Sequence, residues 1–268
     1  MARRRRPLIW LGGGVAVVLL FALIAPLAVV VAAAFFPSGA LGISSEEWVA
    51  GAGSARAFRY VLDTYGTHLA NSAEVALLAG GLAIALGAPA GVALARAEGR
   101  RSARLLELLL TLPLAVPGLA VAMALLSAYP GRGGELGLLV AGHVLYTLPY
   151  AVRTIGEAAR ASRLGPALEA ARTLGADRRR RLRFVLWPAL RRSIGTAALL
   201  ALAVSWGEFN VTFLLATPSR GTFPTALYLT FTTNSFPVAA AAMVLLLAGL
   251  VPLVVFALLL GKSPEQGA

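Results

Sequence analysis

A chain of 268 residues that is 58% hydrophobic and 13% charged is not an ordinary soluble domain, since such domains run near 45–50% apolar and about 25% charged. No cysteine and only two histidines are present, which removes disulfides, thiolate chemistry and multi-histidine metal sites from consideration. The net charge of +12 could suit nucleic acid, but its clumping along the chain points to membrane topology instead, and no nucleic-acid partner is expected.

Residues 7–45, 75–95, 108–131, 136–152, 193–207 and 221–261 contain no Asp, Glu, Lys or Arg. A spanning helix needs about 20 apolar residues, so these windows predict six transmembrane helices in an all-α integral-membrane protein. The first, about residues 8–35, carries Gly12-Gly13-Gly14 and Pro26 and is too long for a secretory signal core of about 7–15 residues. An outer segment follows from Pro37 to about His68, with Trp48, Tyr60 and Tyr65 as interfacial aromatics. The second span runs from Asn71-Ser72 to Ala95, and Gly80-Gly81, Gly87 and Gly91 allow close helix–helix approach.

The third span, about 105–128, contains Pro113 and Pro117-Gly118, and each proline favours a kink. The fourth, about 136–155, holds His143, read as an interhelical hydrogen-bond partner, and exits at Arg153. The fifth, about 193–217, runs past Glu208 and Asn210. Ionisable groups at this depth face a bundle interior or a water-filled path, so these two residues either line a translocation path or hold neighbouring spans together. Pro113 and Pro117 are path candidates on the same footing. The sixth span, about 237–261, precedes a tail of residues 262–268.

With the N-terminus inside, 20 of the 24 basic residues fall on the inner side, and such an excess in short loops sets orientation. The expectation is N-in and C-in. The domains read as 1–65 (first span and outer segment), 66–261 (five spans, with an inner loop at 156–192) and 262–268 (inner tail).

The inner loop is the densest in signal. Pro166 fits a first helical turn, and Ala167, Leu168, Ala171 and Leu174 recur at helical spacing, a stripe suited to a groove on a partner. Gly175 can end that helix in a left-handed conformation, and Asp177 is placed to cap the next one. That second helix carries Arg178 to Arg181, and Pro188 marks a break before span five.

The order Glu169-Ala170-Ala171, Gly175, then Val185-Leu186-Trp187-Pro188 resembles the "EAA" loop of bacterial ABC importer permeases with the type I fold. Asn71-Ser72, Arg96, Leu112-Pro113, Val116-Pro117-Gly118 and Leu148-Pro149-Tyr150-Ala151-Val152-Arg153 extend the likeness over about residues 66–260. The resemblance implies a coupling helix at Pro166–Gly175, with Glu169 meeting a basic residue of a separate ATPase present in two copies. It also implies a second permease subunit, an extracytoplasmic solute-binding protein, membrane lipid as solvent, and residence in the inner membrane. Thr173-Leu174-Gly175-Ala176 is similar to the branch moving polyamines, ferric iron, thiamine, phosphonates and oxyanions, rather than to sugar permeases.

No catalytic constellation is present. Gly261-Lys262-Ser263 could end a phosphate-binding loop, but that motif needs glycine at position 256, which is phenylalanine. The chain is therefore expected to be no enzyme and to hold no cofactor, with ATP and Mg bound by the partner ATPase. A secondary transporter is the alternative; it would show internal repeats and more ion-coordinating groups.

Overall fold

Long apolar runs can satisfy their backbone groups in a bilayer only as helices or closed barrels, and the computed structural model resolves that choice in favour of helices. It describes residues 5–35, 55–234 and 236–261, and every regular element among them is helical. Trp48, most of the expected outer segment and the tail 262–268 lie outside the described residues.

Helix α1 (Arg5–Phe35) runs uninterrupted past Pro26. Helix α2 (Ala55–Arg96) is 42 residues long and tolerates Pro89. It begins well before the expected start at Asn71, so residues 55–68, expected in an outer segment, are helical. Helix α3 (Arg101–Thr111) passes into a 3₁₀ turn, Leu112–Ala115, and helix α4 (Gly118–Ala128) follows. The expected third span is thus two pieces whose axes differ by 105°. Pro117 explains the break, because the residue before a proline is driven out of the helical region; Val116 is extended, with φ −95 and ψ 130.

Helix α5 (Leu136–Ala161) carries Pro149 inside it. After it come α6 (Leu164–Thr173), α7 (Arg178–Arg181) and α8 (Trp187–Trp206). The expected fifth span also breaks: α8 stops at Trp206, and α9 (Asn210–Leu215) starts after Gly207–Phe209. Helices α10 (Phe223–Thr233) and α11 (Phe236–Gly261) complete the order. Among the described residues four helices are long and apolar enough to cross a membrane, or five if the bent pair counts as one span. Helix α8, with Arg191 and Arg192 near its start, is not among them.

The chain divides into two compact units, Met1–Thr64 with Leu227–Leu245, and Tyr65–Ala226 with Leu246–Ala268. In the first, Phe35 and Phe58 stack with ring centroids 5.1 Å apart, and Tyr60 donates to Asn234 Oδ1 at 3.2 Å. In the second, α5 buries twelve of its 26 residues. Small residues permit close packing where lipid offers no hydrophobic drive. A Cβ on Gly91 would stand 2.6 Å from the Val152 carbonyl oxygen, and Gly87 meets Ala151 in the same way. Asn71 donates to the carbonyls of Ser219 and Gly221, and Ser72 Oγ accepts the Phe223 N–H at 2.8 Å. Those two residues therefore brace the loop before α10 rather than open a helix.

Candidate functional site

Two features stand out in the second unit, the loop helix α6 and a meeting of two helix breaks. In α6, Leu164 and Leu168 are buried in a cluster with Ile155, Ala159, Leu190 and Ala197. The opposite side presents Ala167, Glu169 and Ala170 to the exterior, with Ala171 half-buried and Leu174 86% exposed. The expected single stripe is therefore divided. Leu168 anchors the helix to the bundle, while Ala167 and Leu174 remain exposed. Pro166 sits exposed in the first turn.

The end of α6 is a Schellman cap. Gly175 has φ +78, its N–H donates to the Arg172 carbonyl at 3.0 Å, and the Ala176 N–H donates to the Ala171 carbonyl at 2.9 Å. Asp177 Oδ1 then accepts the Arg180 N–H at 2.7 Å and caps α7. Pro188 does not break the chain as expected. Residues Leu182–Leu186 form a π-turn leading directly into α8. A proline ring clashes with the carbonyl four residues earlier, and a locally widened turn accommodates such a clash.

The second feature joins the break at Val116–Gly118 to the break at Gly207–Asn210. A Cβ on Gly118 would lie 2.7 Å from Asn210 Cβ and 3.4 Å from both Glu208 Oε1 and the Tyr146 hydroxyl. Tyr146 donates to the Val116 carbonyl at 2.7 Å, so α5 supplies a donor to backbone released by Pro117. Glu208 Oε1 accepts the Val211 N–H at 2.8 Å, satisfying one of the donors left open at the start of α9. Beneath this cluster His143 is fully buried. Its two ring nitrogens pair with Ser205 Oγ at 2.8 Å and Thr212 Oγ1 at 2.9 Å, one hydroxyl on each side of the break between α8 and α9.

Of the four expected path residues, Glu208 and Asn210 both meet Gly118, the residue after Pro117. Pro113 lies earlier, in the 3₁₀ turn, where its carbonyl accepts the Val116 N–H. Tyr146 and Thr212 were not singled out by the sequence. A tyrosine hydroxyl within an apolar span needs an acceptor, and that requirement was the available signal. Among the described residues no group of three His, Cys, Asp or Glu could hold a metal ion.

The binding-protein-dependent transport system inner membrane component family matches residues 87–262. The chain belongs to that family. This permease is 34% identical over 211 residues to the molybdenum transport system permease protein ModB of Mycobacterium tuberculosis, an alignment covering 70% of this chain and 76% of that protein. The Mycobacterium bovis ModB matches to the same degree.

Among solved structures, the permease resembles a chain of a bacterial ABC transporter involved in import of the acidic polysaccharide alginate. The TM-score is 0.64 at 14% identity, covering 98% of this chain and 99% of that one. The alginate transporter in complex with its alginate pentasaccharide-bound periplasmic protein gives a TM-score of 0.51 at 16% identity, covering 90% and 92%. Identities this low speak for the fold alone. Together these likenesses make the permease a multi-pass inner-membrane component of a type I ABC importer.

Proposed function

We propose that this permease forms half of the translocation path for a tetrahedral oxyanion of the molybdate class, driven by a separate ATPase docked on α6. The observation that carries the docking half is the exposed, carbon-rich tip of α6. There Ala167, Ala170 and Leu174 stand outward beside Glu169, on a helix held by Leu164 and Leu168 and closed by Gly175. An 86% exposed leucine on a projecting helix end suits insertion into a partner groove. The likeness to ModB supports the oxyanion.

In this reading α8 and α9 together complete a sixth crossing, both termini are cytoplasmic, and the arginine-rich loop faces the cytoplasm. A second permease subunit completes the path, a solute-binding protein delivers substrate from outside, and two ATPase copies bind ATP and Mg. ATP binding moves the coupling helices, and the two bundles rock between outward-open and inward-open states with different affinities for the solute. Glu208 favours one second reading, a cationic solute, because a carboxylate at a membrane-depth break attracts positive charge.

The test is uptake into proteoliposomes containing the permease with the ATPase and binding protein encoded beside it. ATP-dependent accumulation of molybdate or tungstate, and not of spermidine, is the expected result. Accumulation of spermidine alone would overturn the oxyanion. Orientation is checked separately with single cysteines at Ser219 and Thr173 in intact cells. An impermeant thiol reagent added outside should label the first and not the second; the reverse pattern would overturn the topology.

A further inference from the structure

Behind α6, on the side facing away from its exposed tip, lies an open cavity of about 600 Å³. Its apolar wall includes Val92, Leu186, Leu190 and Ile194, and its charged part is Arg96, Arg178 and Arg181. No carboxylate lines it. None of the three arginines forms an ion pair among the described residues, whose ion pairs are Arg132–Glu135, Arg160–Glu107 and Arg220–Glu74. Of the acids nearest in sequence, Glu98 is exposed to solvent and Asp177 is engaged with the Arg180 N–H. Trp187, next in sequence to the lining residue Leu186, stands 54% exposed, and tryptophan gathers at the membrane–water boundary.

We propose that this cavity binds an anionic phospholipid, its phosphate held by Arg96, Arg178 and Arg181 and one acyl chain lying along Val92, Leu186, Leu190 and Ile194. Guanidinium groups are suited to phosphate because they offer paired donors in a planar fork. An aliphatic wall next to three cations without a carboxylate partner, of which Arg181 also donates Nε to the Asp177 carbonyl at 3.4 Å, matches a ligand that is a hydrocarbon at one end and an anion at the other. The volume argues against a protein helix, since a helix about 10 Å across would exhaust it in roughly one and a half turns. Leu168, the buried anchor of α6, forms part of the same wall. Occupancy therefore stiffens the seat of the coupling helix, a consequence that rests on the ATPase-docking reading; the lipid site itself does not.

Native mass spectrometry of the full-length permease, purified with its co-expressed subunits, tests the site with phosphatidylglycerol, phosphatidylcholine and inorganic phosphate at equal concentration. Retention of phosphatidylglycerol over phosphatidylcholine is expected, falling about fivefold for each of Arg96→Gln, Arg178→Gln and Arg181→Gln. Arg191→Gln with Arg192→Gln, on α8 and outside the cavity, should change nothing, and Arg178→Lys with Arg181→Lys should retain part of the binding, since the charge stays and the paired donors go. Equal retention of both lipids, wild-type retention by the triple glutamine variant, or displacement of phosphatidylglycerol by inorganic phosphate would overturn the site.

A photoreactive benzoylphenylalanine at Leu186, irradiated in intact membranes, should yield a phospholipid adduct; an adduct to another polypeptide would assign the cavity to a protein instead. Loss of the lipid arms with ATP-driven uptake intact would refute this site alone. Loss of uptake in the α6 variants described below is read independently of it.

Discussion

A Cβ placed on Gly118 would stand 2.7 Å from the Cβ of Asn210, so the break between α3 and α4 rests directly on the break between α8 and α9. Neither interruption is an isolated kink. Each leaves backbone groups without helical partners, and the two sets are covered by side chains from the same small region, Tyr146 on Val116 and Glu208 on Val211. Helix breaks at membrane depth are tolerated where they are buried in protein or line a cavity.

The first prediction follows from that contact. Gly118→Ala should force the breaks apart, costing about 1–3 kcal/mol as an overpacked site does, and Gly118→Val should cost more. Thermal unfolding of the detergent-solubilised permease measures the loss. Transport per assembled complex should fall alongside it, and an unchanged melting temperature in both variants would refute the close contact.

His143 supplies a second. It ties Ser205 to Thr212 across the gap between α8 and α9, and one nitrogen of a neutral imidazole donates while the other accepts. His143→Phe should leave two buried hydroxyls without this partner, at a cost of about 1–3 kcal/mol. Adding Ser205→Ala and Thr212→Val to His143→Phe should recover part of that loss, because residues sharing one network are not additive. Strict additivity of the three changes in unfolding measurements would show that the histidine is not the tie between the segments.

Much of this arrangement could be read from the residues, for reasons that differ by position. Gly175 and Asp177 were legible because few other residues perform a left-handed cap or a side-chain cap, and both do so here. Leu168 was misread because Leu164–Leu168 and Ala167–Leu174 are both helical stripes; only tertiary packing selects which is buried. The early start of α2 was hidden by Arg56, Arg59 and Asp63, charges that resemble a loop and yet sit on a helix. Pro117 announced a kink, but neither its 105° size nor the donor that Tyr146, thirty residues away, brings to the Val116 carbonyl is written in the local residues. The break at Gly207 had little local signal, since glycine within a membrane helix is ordinarily tolerated.

The third prediction concerns α6. At φ +78 Gly175→Val should strain the cap, with about 1–2 kcal/mol set against the left-handed conformation, while Gly175→Asn should be tolerated because asparagine visits that region. Glu169→Lys reverses an exposed charge without disturbing the buried anchors. Gly175→Val and Glu169→Lys should both insert normally and lose ATP-driven uptake, and Gly175→Asn should keep it. Quantitative membrane immunoblots paired with uptake make the comparison; wild-type uptake by both losing variants would remove α6 as the docking element.

The last prediction separates the two solute classes through Glu208. Its carboxylate caps α9 by accepting the Val211 N–H, a task that a glutamine side-chain oxygen can also perform. If the solute is an oxyanion, the negative charge at the break contributes nothing to attraction, and Glu208→Gln should leave uptake per complex equal to or above wild type. If the solute is a cation, the same substitution removes the attracting charge and should lower uptake at least about tenfold, the factor that corresponds to roughly 1.4 kcal/mol. Glu208→Leu serves as the structural control. It leaves the α9 donors open in either case, so it should reduce the yield of assembled complex by an amount consistent with one unsatisfied buried group, about 1–3 kcal/mol. Full activity and full yield in the leucine variant would show that Glu208 neither caps the helix nor meets the solute, and the meeting of the two breaks would then owe its stability to Tyr146 and His143.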